Sequence, residues 1–290
     1  MNNQLRKLQL VQLIILLEVN RICEKHSIRY ILMGGTLLGA VRHQGFIPWD
    51  DDIDIAMPRE EYERFLSACH TELIPPFHLQ NSFTERDYVY PFLKICLDDT
   101  LALEEGKSDL AIHHGIWIDI FPYDNFPDGK ISASVYLFLR KYFLAAMSVL
   151  RNYFPTTSPF RKLYRYCATL PVRYLSDNRF VLIREQVYQH YNTRQTKKKI
   201  AAAFSAKTDI MDADIFDDVT SLPFEEFFFP VPVKYHDVLT NLYGDYMTLP
   251  PEDKRQNHGL LEIDLGMYGD MTKIHRLLSA YKETHLLKNP

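Results

Sequence analysis

Asp50, Asp51, Asp52 and Asp54 put four carboxylates into five positions, a cluster that repels itself unless something cationic sits among them. Hard divalent ions prefer carboxylate oxygens, so the expected cation is Mg²⁺ or Mn²⁺. About fifteen residues earlier comes Gly34-Gly35-Thr36. A turn of this kind offers backbone N–H groups and a helix N-terminus to a phosphate. A divalent metal beside a phosphate cradle is the chemistry of phosphoryl transfer, in which one ion activates the attacking oxygen and another steadies the leaving one. Asp52 and Asp54, two apart on a strand, point the same way and can grip such ions, which leaves Asp51 facing outward. Asp119, alone between Ile118 and Ile120, is the natural third carboxylate. It completes the metal site or takes the proton of an acceptor hydroxyl. Arg42 and Lys94 can balance phosphate charge, although Lys94 has no spacing argument of its own and a solvent role fits it equally. Trp49 directly precedes the acids, and Trp117 stands two residues before Asp119. Tryptophan usually means core, but beside acids both also permit an aromatic cage for a quaternary ammonium such as choline.

These residues need elements to hold them. Residues 29 to 33 read as a short strand ending at the glycine turn, and Thr36 can cap a helix through His43. Pro48 breaks the chain before the acids. Ile53, Ile55 and Met57 then alternate with Asp52, Asp54 and Ala56, as in a strand with carboxylates on one face. Residues 59 to 68 read as helix, and 92 to 97 and 116 to 121 as strands. Leu5, Leu8, Val11, Ile15, Val19 and Ile22 recur at helical spacing, so residues 4 to 26 form an amphipathic helix packed on the core. A later helix spans about 233 to 243, with Gly244 as its C-cap.

Composition narrows the classes. The 290 residues are 47% apolar with a net charge of −4, which fits a folded globular protein and argues against a general nucleic-acid binder. Four widely spaced cysteines form no zinc pattern and read as reduced core residues of a cytoplasmic protein. The apolar run near the N-terminus is short, interrupted by Gln12 and followed by Glu18, which argues against a signal peptide or a membrane span. Residues 131 to 176 hold seven basic residues, many aromatics and no acid. They read as helical hairpin material with two open roles, a soluble cover or a face resting on an anionic membrane. The Lys197-Lys198-Lys199 run reads as a solvated face.

The stretch GGTLLGAVRHQGFIPWDDDIDIAMPREEYERF resembles the hallmark motif of the LicD family of phosphotransferases. PFLKICLDDT, GIWIDIFPYD and LYGDYMTLPPEDKRQNHG are similar to further pieces of that family. The resemblance implies an α+β fold: a nucleotidyltransferase-like mixed β-sheet core of the polymerase-β type flanked by helices, with an additional helical segment. It divides the chain into a catalytic core (1–125), a helical basic cover (126–222) and a C-terminal segment returning to the active site (223–290). It makes Asp52 and Asp54 metal ligands, with Asp50 in the same coordination sphere and Asp119 as third carboxylate. Gly34, Gly35, Thr36, Arg42 and Lys94 become phosphate-binding residues, joined from the tail by Arg255 or His258. The implied reaction moves phosphocholine from CDP-choline to a hydroxyl of a teichoic acid, lipopolysaccharide or capsule glycan, lipid-linked in some cases. The alternatives are CDP-linked ribitol, glycerol or ethanolamine phosphate, or a sugar-phosphate nucleotidyltransferase. The cysteine zinc cluster of the fukutin-related protein has no counterpart here, so the chain resembles the bacterial type. Such an enzyme is expected in the cytoplasm, at the inner face of the plasma membrane where its acceptor is lipid-borne.

Overall fold

Apolar residues at three- and four-residue steps drive the first helix, α1 (Asn3–His26), into the centre of the molecule, where Leu8, Val11, Ile15, Val19 and Ile22 are fully buried. This computed structural model describes residues 3–151, 153, 158–202, 208–257 and 259–286. After α1, strand β1 (Ile31–Leu32) runs into α2 (Gly34–His43), and β2 (Asp54–Pro58) runs into α3 (Arg59–Glu72). Strands β3 (Phe77–Gln80), β4 (Leu93–Leu97) and β5 (Leu101–Glu104) precede the long β6 (Trp117–Phe126). Helices α4 (Lys130–Leu150), α5 (Pro159–Thr169) and α6 (Asp177–Tyr188) follow, then β7 (Lys198–Ala201) and β8 (Ile210–Asp212). The chain closes with the hairpin β9 (Val219–Phe224) and β10 (Phe227–Pro232), then α7 (Tyr235–Tyr243), β11 (Leu260–Asp264) and α8 (Met271–Leu286).

The main sheet has the order β1-β2-β6-β4-β3, with β7 on the second half of β6 and β8 on β7. Only β2 and β6 pair in parallel; the other pairings are antiparallel, so this is a mixed α+β fold. The parallel register sets Asp54 opposite Asp119. Two strands that start at the same edge thus bring together acids 65 positions apart in the chain. A separate two-stranded sheet joins β11 to β5, tying the C-terminal region to the segment before β6.

Residues 126 to 222 hold helices α4 to α6 and also strands β7 and β8. Helices α4 and α6 share their own apolar cluster around Phe143, Met147, Phe180 and Tyr188. Strand β7, however, uses the lysine run itself: Lys198 to Ala201 pair with β6, and Lys199 Nζ donates to Asn125 Oδ1 at 2.5 Å. Cross-strand pairing outweighed the poor strand propensity of lysine. Cys167 also departs from expectation. It is exposed on α5, whereas Cys23, Cys69 and Cys96 are buried.

A buried ionic junction fastens the helical cover to the sheet. Arg59 Nε and Nη2 each donate to the carboxylate of Asp124 at 2.8 Å. Arg140 of α4 adds a donor at 3.4 Å, and Asn192 another at 2.8 Å. Arg140 Nη2 also reaches the Ala201 carbonyl at 2.6 Å, so α3, β6, α4 and β7 meet at one carboxylate. Removing one member of such a network strands the opposite charges in a dry interior. Asp124→Ala is therefore expected to lower unfolding free energy by about 3–5 kcal/mol, measured by urea denaturation. A loss below about 1 kcal/mol, the worth of a solvated ion pair, would show the junction to be incidental.

Candidate active site

The glycine turn and the acids are in contact. Gly34 opens α2 with φ +58°, a left-handed conformation that side chains other than glycine rarely adopt. A Cβ there would lie 2.7 Å from Asp54 Oδ2, and one on Gly35 would lie 2.7 Å from Asp50 Oδ2. The two missing side chains let the helix start approach the carboxylates, where the positive end of its dipole opposes their charge. Thr36 is not the helix cap, since Met33 holds that position. Thr36 Oγ1 instead accepts the Asp54 backbone N–H at 2.8 Å, so it fixes the first residue of β2.

The acid loop is pinned from beneath by α1. Gln9 Nε2 donates to the Ile47 and Asp50 carbonyls at 3.2 and 2.8 Å, and Gln12 Nε2 to the Asp51 carbonyl at 2.7 Å. Both glutamines are fully buried. The residue that reads as an interruption of an apolar run is thus the one that shapes the loop. Asp51 does not face outward but is buried, 3% exposed. The reason is that β2 begins only at Asp54, so strand alternation does not reach back to residues 51 and 52. Asp50, Asp51 and Asp52 each offer an oxygen, and these oxygens lie within 4.8 Å of one another. An all-carboxylate donor set of this spacing fits a hard divalent cation.

Crowding raises the proton affinity of the group. Burial pushes the Asp54 carboxyl well above the ordinary aspartate range, and Asp52, Asp119 and Asp50 push it further. Asp119 is also raised, chiefly by burial, against the opposing pull of Lys94. Its Oδ1 is buried without a hydrogen-bond partner among the described residues.

Lys94 does not stand in solvent. It is buried opposite Asp119 on β4, with Nζ 3.6 Å from Asp119 Oδ1 and 3.5 Å from Glu104 Oε2. Burial works against its charge, but Asp119 and Glu104 outweigh it and raise its pKa. The same ammonium sits 3.8 Å from the centre of the Trp117 ring. Trp49 is covered similarly, with the Arg255 guanidinium 5.3 Å from its ring centre. Each tryptophan therefore already faces a cation of the protein itself.

Asp52 and Asp54 stand in the wall between two cavities. The larger, about 640 Å³, also touches Gly35, Arg42, Trp49 and Asp50, and its far side is Tyr243 to Pro251. Arg42 Nη1 donates to the Tyr246 carbonyl at 2.7 Å, linking α2 to that segment. Its pKa is lowered by burial and then by the charge of Arg255, a concentration of positive charge suited to an anion. The smaller cavity, about 240 Å³, joins the acids to Tyr90, Phe92, Lys94, Glu104, Lys107 and Trp117. His258 lies outside the described residues. Tyr90, Glu104 and Lys107 carry no motif in the sequence; Glu104 reaches the site through its ion pair with Lys94, and Lys107 lies over the Tyr90 ring.

Residues 27–126 match a family model described as LicD/FKTN/FKRP, nucleotidyltransferase domain. The chain is 32% identical over 285 residues to the lipopolysaccharide cholinephosphotransferase LicD of Haemophilus influenzae, covering 89% of this chain and 97% of that protein. A 40-residue stretch, 14% of this chain, is 48% identical to the ribitol 5-phosphate transferase FKRP of mouse and human, covering 8% of those proteins. An uncharacterised protein of Rickettsia typhi is 31% identical over 115 residues, covering 39% of this chain and 34% of that protein.

The raised Asp54 carboxyl makes stability fall with pH when no cation is added. A folded state that holds its proton above the unfolded value loses stability as pH rises between the two. The metal-free protein is expected to lose thermal stability from the ordinary aspartate range upward, until Asp54 is fully ionised. Asp54→Asn is expected to flatten that slope in melting curves recorded across pH. A wild-type slope of the opposite sign, or one unchanged by Asp54→Asn, would contradict the assignment.

Proposed function

Because the chain belongs to the LicD family of phosphotransferases, we propose that it transfers phosphocholine from CDP-choline to a hydroxyl of a lipopolysaccharide-type glycan. The observation that carries this reading is the end-to-end similarity to the Haemophilus cholinephosphotransferase. We also infer a nucleotidyltransferase-like core, supported by the parallel β2–β6 pair with its facing acids and by the adjoining glycine turn.

In this reading Asp50, Asp52 and Asp54 hold Mg²⁺ or Mn²⁺, with Asp51 behind them. The ion, when bound, supplies charge neutralisation for the donor diphosphate. The larger cavity takes the donor, whose phosphates meet the start of α2 and the paired Arg42 and Arg255. The acceptor hydroxyl oxygen forms a bond to the phosphorus that carries choline. The bond from that phosphorus to the oxygen of CMP breaks, and CMP leaves with the electron pair. The hydroxyl proton passes to the Asp119 carboxylate, whose raised proton affinity suits a base. Lys94 keeps that carboxylate oriented. We also infer that the protein works in the cytoplasm, in keeping with a CDP-linked donor.

A second reading is the transfer of ribitol phosphate from CDP-ribitol. The cations already covering Trp49 and Trp117 favour it, because an aromatic cage for choline would have to displace them.

The test is release of CMP from CDP-choline, CDP-ribitol, CDP-glycerol and CDP-ethanolamine, with lipopolysaccharide as acceptor. CDP-choline is expected to be preferred, and chelation is expected to abolish turnover. Asp52→Asn and Asp54→Asn are each expected to lower the rate by about 100-fold or more. Release of pyrophosphate from an NTP, or wild-type CMP release by either variant, would overturn the reading.

A further inference from the structure

Helix α5 presents its apolar side to solvent. Phe160, Leu163, Tyr164 and Cys167 recur at three- and four-residue steps, which puts them on one face, and all four are exposed. Phe160 is 84% exposed and Tyr164 74%. The buried residue of α5 is Thr169, from the opposite side. A helix packed on a soluble core shows the reverse arrangement.

The stripe does not end with α5. Ile131, Val135 and Phe138 on α4 form a second exposed apolar row at steps of four and three. Tyr142, one turn further along that row, donates to the Ala168 carbonyl at the end of α5. The two helices are therefore joined at that end. By length and composition alone α4 could cross a membrane, yet it is not free to do so. Arg140 ties its middle to the buried Asp124, and Phe143 and Met147 lie in the apolar cluster shared with α6.

Charge identifies what this face fits. Lys141, Arg161, Lys162 and Arg173 are exposed on the same two helices and on the turn after α5, and residues 131 to 176 contain no acid to balance them. Exposed apolar rows on helices that also carry exposed cations match the boundary between the acyl chains and the headgroups of an anionic bilayer. A groove of about 370 Å³ runs beside this face, lined by Leu144, Ala145 and Val149 together with Lys141 and Arg165. Tyr90 lines this groove and also the smaller cavity next to Asp119.

We propose that the joined α4–α5 face docks on an anionic lipid bilayer and so brings the Asp119 cavity within reach of an acceptor borne on that surface. The docking stands on the face itself; its purpose rests on the transfer reading above.

Co-sedimentation of the full chain with vesicles tests it, comparing phosphatidylglycerol–phosphatidylcholine mixtures with phosphatidylcholine alone. Binding to the anionic vesicles is expected, weakening as salt is raised. The double variant Phe160→Glu/Leu163→Glu is expected to bind at least about tenfold more weakly. Ile74→Glu, equally exposed but on another part of the surface, is expected to bind as wild type. No wild-type binding at low salt, or equal binding by the double variant, overturns the proposal. So does a wild-type dimer that the double variant dissociates, since a second copy would then cover the face. CMP release with a delipidated soluble acceptor should match wild type in both variants. Failure of wild-type transfer there, with vesicle binding intact, counts against the transfer reading and leaves the docking standing.

Discussion

Carboxylates crowded at the starts of two parallel strands raise one another's cost of ionisation, and most of the surrounding architecture can be understood as holding them there. Asp54 and Asp119 are brought face to face by register, not by any attraction. Their crowding is opposed on one side by the α2 N-terminus, brought close by two glycines, and on the other by the buried Lys94. Beneath them Gln9 and Gln12 fix the loop through its carbonyls, so that its shape does not depend on the charge state of its side chains. A site built this way is rigid before any ligand arrives, which is what electrostatic stabilisation of a phosphoryl group requires.

Much of this was legible in the sequence because it rests on local pattern. The period of α1, the glycine turn and the lone acid in each of two apolar runs are short-range signals. What could not be read depends on pairings distant in the chain. Nothing near Lys94 shows that it will be buried opposite Asp119, and nothing near Glu104 shows that it will pair with Lys94 in the same cavity. Asp51 was misplaced by carrying strand alternation three residues beyond the start of β2. Gln12 reads as a flaw in an apolar helix until its partner, the carbonyl of Asp51, is seen. The lysine run became a strand for a similar reason, because its neighbour β6 supplied the ladder.

The helical cover shows the same economy of attachment. Of the seven basic residues from 131 to 176, Arg140 is buried on Asp124 and Arg151 pairs with Asp177 at 2.7 Å. These two anchor the cover, while the exposed cations and apolar rows face away from the sheet. One segment thus has an inward side built from paired charge and an outward side of exposed apolar rows and cations. Tyr90 lines both the groove beside that outward side and the cavity next to the acids.

The account turns on whether the aspartate cluster binds a divalent cation together with a CDP-linked donor. Electron paramagnetic resonance of Mn²⁺ titrated with the protein, with and without CDP-choline, reports this directly. Loss of the free-ion signal is expected with the wild type, more steeply when donor is present, and not with Asp54→Asn. A free Mn²⁺ signal undiminished by the wild-type protein and donor would contradict it.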